Sequence, residues 1–143
     1  MGDRQIVLDA NILVRATLGV RVRELIERYA AQVDLFAPDV AFAEAEEYLP
    51  ELYTKRGLSP RLAREVYERV SAIVQELPLP FYLGRENDAR ARIGRRDPED
   101  WPVLACALVL DSPVWTEDVD FFGTGVRTWT SDRVELFLSG EAG

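Results

Sequence analysis

The sequence predicts an α/β fold, a three-layer α/β/α sandwich around a mostly parallel central sheet, on three observations. Short apolar runs bounded by turn residues alternate along the chain with longer segments whose apolar residues recur at helical spacing. The first run, Ile6-Val7-Leu8, is apolar without alternation, as a strand buried on both faces requires. Each of the clearest strand candidates ends in a polar or proline residue that starts the next segment.

Taken in order, Gln5–Leu8 reads as the first strand, with Asp9 and Asn11 directly beyond it. From about Arg21 to Ala31, Val22, Leu25, Ile26 and Tyr29 recur on one helical face between charged residues. Asp34–Pro38 ("DLFAP") is a second strand. Asp39 can cap a following helix with Phe42 and Leu49 inward, and that helix is expected to stop near Pro50. Ser59 and Pro60 form a helix start, N-cap and first position, with Leu62, Val66, Val70 and Ile73 on the expected buried face. Leu79–Gly84 ("LPFYLG") reads as a third strand, and Asn87–Ile93 as a short helix. Asp97 or Asp100 opens an apolar helix through Leu110, and "PVWTED" and "VRTWTS" supply the last two strands.

The chain's 143 residues, 48% of them hydrophobic, are enough for one domain spanning 1–143 with a proper core. Its single cysteine, Cys106, lies in the apolar run "VLACALVL" and reads as a small buried thiol. No apolar run is long enough to cross a bilayer and no secretory signal is visible, so a soluble cytoplasmic protein without membrane contact is expected. There is no histidine, which excludes Ser-His and Cys-His catalysis and any histidine-ligated zinc site. The net charge of −8 argues against a general nucleic-acid coat protein but does not exclude an enzyme whose excess acids hold metal ions.

Acids recur where such a sheet would gather them. In open α/β sheets the ligand site lies beyond the carboxyl ends of the strands. Asp9 has that position after the first strand, and Asp118 and Asp120 have it after "VWT". Asp97, Glu99 and Asp100 stand before an apolar helix, and Glu44 lies one turn into the helix after the second strand. Each has a structural role open to it as well. Asp9 can cap a helix, Glu44 belongs to the charge run "EAEE" of a solvated face, Asp97 and Asp100 can be N-caps, and Asp118 and Asp120 can be loop acids. Capping and solvation do not, however, require all of them at one end of a sheet. With oxygen the only ligand type on offer, such a cluster would take Mg²⁺, Mn²⁺ or Ca²⁺ rather than zinc, and the chemistry that follows is phosphodiester hydrolysis.

"VLDANIL", "APDVAFAEAEEYL" and "RRDPEDWPVLACALVLDSPVWTEDVDFF" together resemble the ordered motifs of the PIN-domain superfamily, in particular the bacterial and archaeal VapC-type toxins of toxin–antitoxin pairs. The resemblance runs from Gln5 to about Phe122. It implies a PIN-like fold and a metal-dependent endoribonuclease using Mg²⁺ or Mn²⁺. It also implies an RNA substrate, an antitoxin protein as partner and a homodimer. By the same resemblance Asp9, Glu44, Asp100 and Asp118 would be catalytic metal ligands, with Asp97 the rival for the third acid. Asn11, Thr116 and Asp120 would be auxiliary.

Both helix starts, at Asp97 and at Asp100, remain open, because Pro98 suits the first turn after one and Pro102 the first turn after the other. Asp100, directly before the apolar run, is the expected ligand; Asp97 is expected to act as a cap. Arg95 and Arg96, beside Asp97, are expected to meet substrate phosphates. Arg90, Arg92, Lys55 and Arg56 are further cations, and Trp101 sits at the mouth of the expected site. Two other readings compete. One is a catalytically weak PIN domain that binds a protein partner. The other is a haloacid-dehalogenase-like phosphatase, which needs a second aspartate where this chain has Asn11.

Overall fold

The computed structural model describes residues 4–141. Five strands form one sheet in the order β3-β2-β1-β4-β5, and every neighbouring pair is parallel. β1 (Arg4–Leu8) lies at the centre, and its Ile6, Val7 and Leu8 have no exposed surface. Ile6 and Leu8 face one layer and Val7 the other, as the two-residue period of a strand demands. The chain moves outward from β1 to β2 (Val33–Pro38) and β3 (Gln75–Leu77). It then returns past β1 to β4 (Val114–Trp115) and β5 (Thr128–Trp129). The direction of winding therefore reverses between β1 and β4, and a crevice opens beyond their carboxyl ends.

Helices cover both faces. α1 (Ala10–Leu18), α2 (Arg21–Tyr29), α3 (Asp39–Arg56) and α4 (Pro60–Ile73) pack on the Ile6–Leu8 face. A short α8 (Val134–Leu138) joins them, held by Val134, Phe137 and Leu138. The opposite face carries α5 (Leu79–Tyr82), α6 (Glu86–Ile93) and α7 (Trp101–Leu110). α7 is apolar all round and buried from Pro102 to Ala107, Cys106 included. Among the described residues no helix is long and apolar enough to cross a membrane.

Several local expectations are corrected. α3 does not stop at Pro50 but runs to Arg56, where Gly57 closes it in the left-handed conformation (φ 64°). Leu49 before the proline and Tyr53 after it continue the buried stripe of Phe42 and Ala45, so core packing outweighs the missing hydrogen bond. On α4, Val70 and Ile73 pack on the core as expected, but Leu62 is 60% exposed and Val66 is outside the core, and Ala63 and Tyr67 complete the stripe. The Tyr67 hydroxyl donates to Glu46 at 3.1 Å, which lets its ring pack with its polar tip satisfied. The third strand is Gln75–Leu77, and "LPFY" is helical. The Asp39 carboxylate, which also accepts from its own helix's Val40 N–H, accepts from Leu79 N–H at 3.1 Å and from the Tyr82 hydroxyl at 2.5 Å. That side chain ties the start of α3 to α5, a long-range bond with no local sequence signature.

A proline in the exposed interior of α3 costs about 3 kcal/mol against alanine, offset in part by its restriction of the unfolded chain. Pro50→Ala is expected to raise unfolding free energy by about 2 kcal/mol, measured by urea titration with an unchanged slope.

Candidate metal centre

The crevice at the reversal point is a cleft of about 870 Å³. Asp9, first beyond β1, is buried; its Oδ1 accepts the Ile12 N–H at 3.0 Å as the N-cap of α1. Its Oδ2 accepts from the Thr116 hydroxyl, which is itself wholly buried at the end of β4. The same Thr116 oxygen accepts the Asp118 N–H at 2.9 Å. One hydroxyl thus joins the ends of the two strands that flank the reversal. Asp118 is fixed further by Asp120, whose N–H donates to Asp118 Oδ1 at 2.9 Å. Burial pushes Asp9 up from an ordinary 3.8 to about 6, against the lowering effect of its two hydrogen bonds; Asp118 and Glu44 add to the rise.

The segment before α7 resolves the question of its start by using both prolines. Pro98–Asp100 forms a single 3₁₀ turn, closed by Asp100 N–H to the Asp97 carbonyl at 3.1 Å, and α7 follows directly from Trp101 with Pro102 in its first turn. Asp97 makes no side-chain capping bond. Its carboxylate instead joins those of Asp100 and Asp118, with one oxygen from each within 4.8 Å of the others. The expected cap role of Asp97 is therefore absent from this geometry. Asp100 is pushed up to about 9, first by burial and then by hydrogen bonding and repulsion from Asp97 and Asp118.

Glu44 and Asn11 line the same cleft from α3 and α1. Burial and the charges of Asp97, Glu99 and Glu47 raise the Glu44 carboxyl. Glu47, one turn further on, is not in the lining, and neither is the Asp120 side chain. Arg95 is exposed and outside the lining. Arg96 is turned to structural use. Its Nη1 donates to Phe122 O at 2.8 Å and its Nε to Ile93 O at 3.3 Å, while Arg92 donates to Thr124 O at 3.0 Å. Together they clamp the loop that carries Asp118 against α6. Gly125 in that loop has φ 84°, and a Cβ there would lie 2.8 Å from Arg92 Nη1. The cation that does line the cleft is Arg90, together with Trp101 and Tyr82. Nothing in the spacing of "ARARIGRRD" distinguishes Arg90 from its neighbours, since the choice depends on how α6 lies against α7.

The donor set fits a hard divalent cation. Every cleft ligand is a carboxylate or amide oxygen, and the cluster has no histidine or thiol. Among the described residues no lysine or arginine forms an ion pair with Asp9, Asp97, Asp100 or Asp118. The raised carboxyls are what such a cluster shows without a counter-charge.

Asp9 and Asp100 have folded pKa values above their unfolded ones, so between those values the folded state binds more protons. Their contribution to stability is full below about pH 4 and is lost as pH rises to about 9. In EDTA the melting temperature should fall from about pH 5 to about pH 9, and Asp100→Asn should flatten that slope. Divalent cation should produce a stabilisation that grows with pH, because protons and metal compete for the same oxygens. Thr116→Val, which leaves Asp9 Oδ2 and the Asp118 N–H without their partner, should cost about 1–3 kcal/mol in chemical denaturation.

Comparison with known proteins bears on this arrangement. A search of curated proteins gave no match. Among solved structures, one similar chain comes from the crystal structure of VapBC2 from Rickettsia felis bound to a DNA fragment from their promoter. It aligns with a TM-score of 0.63 over 88% of this chain and 98% of that one, at 14% identity, a likeness of fold. The family model described as PIN domain matches residues 7–139, which includes every acid of the cleft. On that match and the all-parallel five-stranded sandwich, the chain belongs to the PIN-domain family.

Proposed function

We propose that this PIN domain is a Mg²⁺- or Mn²⁺-dependent endoribonuclease, acting as the toxin of a toxin–antitoxin pair. The observation that supports it most is the convergence of Asp97, Asp100 and Asp118 within 4.8 Å, beside Asp9 and Glu44, with no lysine or arginine among the described residues ion-paired to the three. Asp9, Asp100 and Asp118 would hold the metal, with Glu44 and Asp97 completing the oxygen set and Asn11 at the rim. When bound, a divalent cation supplies the positive charge that draws in a phosphodiester and the Lewis acidity that activates water and steadies the leaving oxygen.

The chain's own residues set the geometry for that chemistry. Thr116 and the Ile12 N–H fix both oxygens of Asp9, and the Asp120 N–H orients Asp118, so these two acids cannot swing away from the cleft. With no histidine in the chain, proton transfer at the cleft falls to carboxylates. An antitoxin partner is proposed from the likeness to the VapBC2 complex; a homodimer and an RNA substrate are proposed on the family resemblance.

The test is cleavage of a mixed RNA pool by the purified protein with Mn²⁺, with Mg²⁺ and with EDTA. Cutting should require metal. Asp118→Asn and Asp100→Asn should each lower the rate on the order of a hundredfold or more while leaving the protein folded in EDTA. Asp97→Asn should also reduce the metal-induced rise in melting temperature rather than act as a lost cap. Cleavage that persists in EDTA, or in both variants, would overturn the reading.

A further inference from the structure

Among the described residues the cleft is lined by six carboxylates, those of Asp9, Glu44, Asp97, Glu99, Asp100 and Asp118, and by one cation, Arg90. Among those residues a polyanion entering it would meet positive charge at Arg90, besides any bound metal. Arg90 also sits in an unusual place. Its guanidinium lies over the Trp101 ring, 5.1 Å from the centroid, and its Nε donates to Glu86 at 2.7 Å. Trp101 follows Asp100 directly in the chain, so its indole is carried on the same turn as the acidic cluster. Its ring packs against Tyr82, with centroids 5.6 Å apart at 60°, and Tyr82 is anchored through its hydroxyl to Asp39.

We propose that Arg90 and Trp101 form a nucleotide-holding subsite for single-stranded RNA, Trp101 stacking the base and Arg90 taking the adjoining phosphate. The proposal rests on the nuclease reading for its substrate class. A guanidinium 5.1 Å from the ring centroid leaves no room for a base between them, so Arg90 covers the indole in the free protein and must turn aside. It can do so at little cost. The side chain is 47% exposed, and its one ion pair, to Glu86, is a surface pair of small worth. On binding, the base replaces the guanidinium on the indole, and the phosphate replaces Glu86 on the guanidinium. The indole itself stays where it is, packed against the Tyr82 ring, which is the preorganisation a stacking platform needs. Because a base must leave its helix to stack on protein, the subsite selects unpaired strands.

Binding and cleavage are measured separately, so that this subsite and the nuclease reading can fail independently. Binding is followed by anisotropy of a labelled single-stranded decaribonucleotide with Ca²⁺, an oxygen-seeking cation, and cleavage of the same strand with Mn²⁺. Trp101→Ala and Arg90→Ala should each weaken binding roughly tenfold, with KM rising and kcat little changed. Trp101→Phe should recover most of the binding. The Mn²⁺-induced rise in melting temperature should match wild type in all three, which also shows that they fold. A duplex of the same sequence should bind less tightly and respond little to Trp101→Ala. Unchanged single-strand affinity in folded Trp101→Ala and Arg90→Ala overturns the subsite, whether or not the protein cleaves. So does failure of wild type to bind the strand. Loss of binding in both variants without any cleavage by wild type upholds the subsite and removes the nuclease.

Discussion

The hydroxyl of Thr116 is the point on which the cleft is built. It donates to Asp9 at the end of β1 and accepts from the N–H of Asp118 beyond β4, and it does so with no exposure to water. Parallel strands bring their carboxyl ends to one edge, but they do not by themselves fix a side chain there. The hydrogen bond through Thr116 converts the neighbourhood of two strand ends into a defined separation between two carboxylates. The sheet order makes this feasible, because only where winding reverses do the loops after adjacent strands part and leave a crevice between them. Everything else at the site is added to that pair. The 3₁₀ turn contributes Asp97 and Asp100, and α3 contributes Glu44.

The same arrangement explains an acidic protein whose proposed substrate is also acidic. Carboxylates buried together without a counter-charge are unfavourable, as burial and then mutual repulsion raise Asp9 and Asp100, and the fold bears that cost. The core meets it with a central strand free of solvent on both faces and with an apolar α7 buried immediately behind the cluster. An acidic surface also discourages indiscriminate adhesion to nucleic acid, so that the proposed binding would depend on the cleft rather than on overall charge.

What the sequence made legible was whatever depends on local pattern. The continuous run Ile6–Leu8, the Ser59-Pro60 helix start and the apolar stretch of α7 can each be read from neighbours a few residues apart. The acids at strand ends were legible for the same reason, since a strand end is a local feature and the sheet brings strand ends together. What was not legible depends on distant partners. Pro50 looked like a terminus because local chemistry says so, while Leu49 and Tyr53 held α3 to the core across it. "LPFY" has the composition of a strand, but Asp39, some forty residues earlier, captures its first N–H and its tyrosine hydroxyl. Arg96 and Arg90 look interchangeable in sequence, and only the packing of α6 gives one to backbone carbonyls and the other to the cleft. α8 is too short, at five residues, for its periodicity to register.

The arginine clamp on the Asp118 loop has a consequence for how the protein responds to ionic strength. Arg92 and Arg96 reach Thr124, Phe122 and Ile93 through neutral carbonyl groups. Dissolved ions weaken attraction between separated charges far more than a short bond from a cation to a carbonyl dipole. Raising the salt concentration would therefore loosen the proposed capture of a charged strand more than it loosens these loop contacts. Assembly of the cleft and the proposed recruitment to it draw on different forces, so a change in ionic composition would tune the second without dismantling the first.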